Sequence, residues 1–306
     1  MNIFSDAPWD DRGLNLLRDG LAPHRLLTSR EPSAQADVFF GQPEVESVLK
    51  AERLRWVHIT SAGFTRYDTP QFRAAVQTRG LLVTNSSSVF AEPCAEHLVA
   101  FMLAQARQLP NAIGYDAGSR QAPHPRGTCV CLRHQAAVIL GYGSIASRLV
   151  ELLAPFQMKI TAMRRQPRGD EGVSIVTPDS LAAALAVADH VINIMPDNAD
   201  SLHFVSAERL AQVKRGAIFY NIGRGQTVDQ SALADSLRSG HLGAAWLDVT
   251  DPEPLPKDHP LWASPRCYIT PHIAGGHAHE SESLIRHFLD NFQRFLHDSP
   301  LRDRIM

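Results

Sequence analysis

Cysteine is sparse in this chain of 306 residues, with only Cys94, Cys129, Cys131 and Cys267 present. Four thiols so scattered do not make the framework of a disulfide-stapled secreted domain, and the C-x-C of Cys129 and Cys131 lacks zinc-site spacing. A reducing compartment is expected. Long apolar runs are missing as well. No uncharged stretch reaches the roughly 20 residues that cross a bilayer. The start, MNIFSDAPWDD, carries acids where a signal peptide needs a basic start and an apolar core. The expectation is a cytoplasmic protein with no membrane partner. Nor does one charge dominate: 30 basic side chains against 32 acidic ones leave a formal charge of -2. No overall field recruits nucleic acid, and a small neutral or anionic metabolite fits better. Lysine is the scarcest charged residue, four of the 30 basic ones, which leaves 30 - 4 = 26 arginines. Arginine's planar fork suits carboxylate and phosphate, but genome composition produces the same bias, so each arginine has to be judged by its surroundings.

What is present is the balance of a folded globular protein, 44% hydrophobic and 20% charged, at a length that suggests two domains. Short apolar runs alternate with helix-period segments almost throughout, the pattern of parallel sheets covered by helices on both faces. Strands are expected at residues 2–4, 25–28, 38–41, 56–60 and 81–84. A long buried helix should follow at 91–107, with Glu92 and Pro93 in its first turn, where acids and proline are favoured. Residues 110–134, rich in Pro, Gly and Arg, read as an irregular connection. The second series has strands at 136–140, 159–163, 174–176, 190–194, 217–222, 244–248 and 268–270. Its helices are expected at 144–154, 178–186, 207–213 and 230–239, with a closing helix at 280–296.

The segment AAVILGYGSIASRLVELLAPF places GYGSIA directly after an apolar strand and at the opening of an amphipathic helix. An ordinary glycine-rich turn can look the same, but this context favours dinucleotide binding. Gly141 allows the tight turn, Gly143 lets backbone approach a pyrophosphate, and Ala146 replaces the third glycine for close packing. Tyr142, Ser144 and Ile145 complete the turn, where the helix N-terminus offers N–H groups and positive dipole. An Asp or Glu selective for NAD is expected about 20 residues on. MRRQPR stands there instead. Arg164 and Arg165, helped by Arg168, suit a 2′-phosphate, so NADP is the preferred cofactor with NAD the alternative; the competing reading is a solvated basic turn.

Three later segments place a reactive residue beside a tight turn at a strand end: FYNIGRGQTVD with Arg224, LDVTDPEPLP with Glu253, and ITPHIAGG with His272. Loops at the carboxyl ends of parallel strands are where α/β folds bind ligands. Arg224, between Gly223 and Gly225, can present its fork to a carboxylate and an adjacent carbonyl. Glu253 stands between Pro252 and Pro254, which restrain its backbone. An acid held beside His272 would favour the protonated ring and make it a general acid. Taken singly, each is also an ordinary loop residue; the combination is what points to chemistry.

In the order and content of these motifs the chain closely resembles the D-isomer-specific 2-hydroxyacid dehydrogenases. The resemblance runs from TSAGFTRYD at 60–68 through AEPCAEHLVAFMLAQAR, GYGSIA and LHFVSAERLAQVKRGAIFYNIGRGQTVD to LDVTDPEPLP and TPHIAGG. It implies a flavodoxin-like substrate domain, residues 1–91 and 279–306, into which a Rossmann-type doubly wound parallel-sheet domain, 92–278, is inserted to bind the cofactor. It implies that Arg224, Glu253 and His272 are catalytic, with separations of 253 - 224 = 29 and 272 - 253 = 19 residues that look right for the family. Substrate would be bound by Arg224, His272 and the backbone of Ser61, Ala62 and Gly63. Asp248 would hold the nicotinamide carboxamide, and Val89, Met195, Pro196, Ile222, Gly223 and Gly275 would line the cofactor. The implied reaction is reduction of a small 2-keto acid of the glyoxylate or hydroxypyruvate kind to the D-2-hydroxy acid, by a homodimer, with His272 donating the proton.

Phosphite dehydrogenase, D-3-phosphoglycerate dehydrogenase-like activity and a non-catalytic, nucleotide-sensing corepressor role share the triad and stand as alternatives. Formate dehydrogenases carry glutamine at the position of Glu253. Several residues depart from the usual family pattern: NSSSVFAEP, AGGHAH, and Trp246 just before the Asp248 turn. Phe64, Phe90 and Trp246 could line a pocket, with core packing the better reading of Trp246. His277 and His279 lack Asp or Cys partners at metal spacing, so no metal is expected. Glu96 and His97 read as structural.

Overall fold

The computed structural model describes residues 1–27, 35–113 and 125–306. Thr28 of the expected second strand and residues 114–124 of the expected connection lie outside these. The chain forms two compact units, Met1–Phe90 with Gly276–Met306, and Ala91–Gly275.

The first unit holds β1 (Asn2–Ser5), β2 (Arg25–Leu27), β3 (Val38–Gly41), β4 (Trp56–Ile59) and β5 (Leu82–Thr84). All neighbours pair in parallel, in the order β2-β1-β3-β4-β5, which is the flavodoxin-like order. Strands of such a sheet are covered on both faces, so they read as continuous apolar runs, as in VFFG and WVHI. The two-residue period of a strand sorts them. Phe39 and Val57 join one core with Phe72 and Val76 of α3 (Pro70–Arg79). Val38, Phe40 and Trp56 join the other with Leu17 and Leu21 of α1 (Asp11–Leu21) and with Ile285, Phe288 and Phe292 of the closing helix Glu280–Leu296. Phe40 and Phe288 stack with centroids 4.0 Å apart. Caps set the helix ends: Asp10 accepts from the Gly13 amide, Thr69 from the Phe72 amide, and Gly80, at φ 62, ends α3 in the left-handed conformation. Short α2 (Val45–Lys50) follows β3.

The second unit opens with α4 (Ala91–Ala106), buried along Cys94, Ala95, Leu98, Phe101 and Met102, and a short α5 (Leu109–Ile113). Its strands are β6 (Ala136–Leu140), β7 (Lys159–Met163), β8 (Ser174–Val176), β9 (His190–Asn193), β10 (Ile218–Asn221), β11 (Ala244–Leu247) and β12 (Cys267–Ile269). They pair in parallel in the order β12-β11-β10-β9-β6-β7-β8, a doubly wound sheet with its switch point between β6 and β9. The connecting helices are α6 (Ser144–Leu153), α7 (Leu181–Leu185), α8 (Ala207–Gln212), α9 (Gln230–Arg238) and α10 (Pro260–Ala263). The α/β class is as expected from sequence. The expected irregular connection is not wholly irregular: α5 and a 3-10 turn at Pro125–Thr128 occupy parts of it. Trp246 packs against Tyr268 and Phe101 and donates its indole N–H to Gln105 Oε1 at 2.9 Å, a core role.

Candidate active site

Gly141 leaves β6 at φ 95, and a side chain there would press on the Ile194–Met195 backbone at 3.4 Å. Gly143, the N-cap of α6, faces open space, so a phosphate can approach its backbone. Ala146 is wholly buried, as tight helix-to-sheet packing requires. A cleft of about 890 Å³ opens here, within the range of small-molecule sites. Gly141, Tyr142, Arg164, Arg165, Arg168, Met195 and Pro196 all line it. Ser144 is exposed beside it at the start of α6, and Ile145 is half-buried.

The arginine loop after β7 is built around Glu171, a residue with no local motif of its own. Its carboxylate accepts from the amides of Arg168 at 2.6 Å and Gly169 at 2.8 Å, and Arg164 Nη1 lies 3.6 Å away. The Arg168 amide chiefly, with Gly169 and Arg164, holds this carboxyl below its ordinary value. The Tyr142 hydroxyl donates to the Glu171 carbonyl at 2.6 Å, tying the glycine turn to the arginine loop. Arg165 pairs with Asp200; both are well exposed, at 64% and 70%, so that pair contributes about 1 kcal/mol or less and yields readily to a better anion. A fourth cation was also unforeseen: Arg209 lies 3.7 Å over the Phe204 ring and lines the same cleft.

The loop after β10 rests on a buried amide network. Asn193 Nδ2 donates to Asn221 Oδ1 at 2.9 Å and Thr227 Oγ1 at 2.6 Å. Asn221 Oδ1 accepts the Gly223 amide, and Asn221 Nδ2 and Thr227 Oγ1 both donate to the Arg224 carbonyl. A side-chain carbon at Gly223 would come within 2.6 Å of Met195 O, and one at Gly225 would collide with the Thr250 carbonyl group. Arg224 is therefore presented from a wedged turn, half-buried, with Nη1 donating to Gly223 O at 2.6 Å. Ile222 and Met195 are buried alongside.

Asp248, at the end of β11, is buried and spends both oxygens on the next turn. Oδ1 accepts from Thr270 Oγ1 and the Ile273 amide, and Oδ2 from the Ala274 amide. The His272 amide donates to Asp248 O at 2.9 Å. These bonds hold His272 at φ 52, a left-handed conformation unusual for a residue with a side chain and characteristic of functional sites. His272 Nδ1 then meets Glu253 Oε2 at 2.8 Å, while Glu253 Oε1 accepts the Thr250 amide. The carboxylate orients the ring through Nδ1, and the side chain remains 51% exposed for contact with a ligand. Gly275 follows at the end of the unit, half-buried.

In the first unit, the loop after β4 carries Ser61, Ala62 and Gly63. Every carbonyl there has a donor: Ser86 N to Ser61 O at 3.1 Å, Asn85 Nδ2 to Ala62 O at 2.7 Å, and Ser61 Oγ to Gly63 O at 2.6 Å. The three amides make no hydrogen bond among the described residues. Three consecutive N–H groups are thereby left unspent. Val89 lies on the neighbouring loop, its amide bonded to Ser86 O.

The model of the D-isomer specific 2-hydroxyacid dehydrogenase NAD binding domain matches residues 99–274. The glyoxylate/hydroxypyruvate reductase B of Escherichia fergusonii is 34% identical over 271 residues, 85% of this chain and 81% of that one. Among solved structures, a D-isomer specific 2-hydroxyacid dehydrogenase family protein from Aeromonas salmonicida is 27% identical, with a TM-score of 0.80 over 100% of this chain and 98% of that one. A D-isomer specific 2-hydroxyacid dehydrogenase from Xanthobacter autotrophicus, solved in complex with NADPH and MES, is 25% identical, with a TM-score of 0.83 over 100% and 97%.

Proposed function

The chain belongs to the D-isomer specific 2-hydroxyacid dehydrogenases, NAD(P)-dependent oxidoreductases, and from that premise we propose that it reduces a small 2-keto acid to the D-2-hydroxy acid with NADPH. Glyoxylate and hydroxypyruvate are the first substrates to try, since relatives at about this distance carry those names. The observation that carries the reading is the 2.8 Å contact of His272 with Glu253 on the sheet edge that also presents Arg224.

The cofactor fits the chain on three counts. Gly141 has the required turn, Gly143 has open space before it, and Arg164, Arg165 and Arg168 line the cleft where a 2′-phosphate would lie. Residues 141–145, the arginine loop, Met195, Pro196, Ile222, Gly223, Asp248 and Gly275, with Val89, would hold it, and when bound it supplies the hydride for the keto carbon. The protein does the rest. The amides of Ser61, Ala62 and Gly63 receive the substrate carboxylate, and the Arg224 fork polarises the keto oxygen and holds it in register with the carboxylate. His272, oriented by Glu253 through Nδ1, gives an Nε2 proton to that oxygen as negative charge develops on it. Asp248 supports this by fixing the turn that carries His272. Within this reading the enzyme is a cytoplasmic homodimer, to be checked by cell fractionation and sedimentation velocity.

The deciding experiment is a panel of 2-keto acids assayed with NADPH and with NADH. Turnover of glyoxylate or hydroxypyruvate with a higher kcat/KM for NADPH is expected. No turnover of any 2-keto acid would overturn the activity, and preference for NADH would overturn the cofactor assignment alone.

A further inference from the structure

We propose that Gln42 is a positioning residue for the substrate carboxylate, acting through Ser61. The proposal rests on the reductase reading above and extends it to a residue that touches neither substrate nor cofactor in that mechanism. Gln42 directly follows β3, beside the loop with Ser61, Ala62 and Gly63 that follows β4. Its own backbone is fixed on both sides: the amide donates to Asp6 Oδ1 at 2.8 Å, and the carbonyl accepts from Arg66. Arg66 is itself braced by Pro43 O and the Tyr67 hydroxyl. The side-chain amide is thereby delivered to one place. Nε2 donates to Ser61 Oγ at 2.9 Å and to Thr60 Oγ1 at 3.2 Å.

The direction of this chain of bonds is determined. Ser61 Oγ gives its single proton to Gly63 O, so it can only accept from Gln42, and only the NH₂ end of the amide can serve. The relay runs Gln42 Nε2, Ser61 Oγ, Gly63 O. It holds the third carbonyl of the loop turned back, while Ser86 N and Asn85 Nδ2 hold the first two. With all three carbonyls pinned, the three amides stay free for an anion. Without Gln42, the Ser61 hydroxyl loses its donor and becomes free to rotate, and Gly63 O loses its fixed partner. The loop then has to be ordered by the substrate at the cost of affinity.

The test is steady-state kinetics of Gln42→Ala, Ser61→Ala and the double variant, with Gln42→Glu as a second probe that keeps the shape but replaces the donor with a charge. For Gln42→Ala, a rise in KM of about five- to tenfold for the 2-keto acid is expected, the loss of one positioning bond. Its kcat should stay within about twofold and its KM for NADPH should not change, a split that indicates lost ground-state binding. Ser61→Ala should match it, and the double variant should be no worse than either single one. Gln42→Glu should raise KM further. An unchanged KM in Gln42→Ala and Gln42→Glu, or additive effects of the Gln42 and Ser61 changes, overturns the proposal. If Gln42→Ala does not fold, Gln42→Glu decides. If the natural protein turns over no 2-keto acid, the reductase reading fails separately. Gln42 is then judged by calorimetric titration of the NADPH-loaded protein with oxamate. Weaker binding by the variant supports the proposal, and equal binding, or none by either protein, ends it.

Discussion

His272 carries the sharpest expectation at the scale of single residues. Replacing it with alanine removes the proposed proton donor but leaves the glycine turn and the arginine loop intact. Turnover should fall by about 10²- to 10⁴-fold, while NADPH affinity, followed by fluorescence titration, stays near that of the natural protein. Arg224→Lys keeps the charge but loses the planar fork. It should lower kcat/KM for the 2-keto acid by roughly tenfold or more with little change in the KM for NADPH. Arg224, Glu253 and His272 were legible in the sequence because each follows an apolar run and is flanked by glycine or proline. Glu171 and Arg209 were not. Glu171 matters because the chain doubles back to give it the amides of Arg168 and Gly169, and Arg209 because α8 lays it across Phe204. Neither closure leaves a mark in local sequence.

Among the elements, the turn after β10 is the most tightly specified. Gly225→Ala puts a carbon into the Thr250 carbonyl group. The loop must shift, which should cost about 1 to 3 kcal/mol in urea unfolding and lower activity more than it lowers cofactor binding. Strand β9 offers a pH signature. His190 is buried between Tyr220 OH at 3.0 Å and Gln135 Oε1 at 2.7 Å, and burial pulls its pKa down to about 4. An unfolded histidine titrates near 6.5, so between pH 6.5 and 4 the unfolded chain takes up a proton that the native one refuses. Stability should therefore fall as pH drops through that window, by about 3 kcal/mol at its lower end. In His190→Gln the acid limb of the urea midpoint against pH should flatten; an unaltered limb would assign it to other groups. The strands were readable to within about a residue because apolar runs buried on both faces end abruptly at polar turns. The short helices α5 and α10 were not, since four or five residues hold too little periodicity to register against prolines and glycines.

For the whole molecule, the α/β class was legible because alternating strand and helix patterns leave few other arrangements. The pinning of the loop after β4 was less so, since it depends on Gln42, Asn85 and Ser86, which come from other strands' ends. Ligand linkage gives a test at this scale. NADPH at a hundredfold excess over its Kd should stabilise the native state by about 2.7 kcal/mol, read as a rise in Tm, and NADH at the same concentration should give a smaller one. The discontinuity of the first unit has a consequence for synthesis. Phe40 and Trp56 leave the ribosome early, yet Phe288 and Phe292, which cover them, emerge only after the contiguous second unit has been made. At about 5 to 20 residues per second that interval is roughly 10 to 40 s. Through it, the nascent chain carries an uncovered aromatic face, while the second unit is free to fold first.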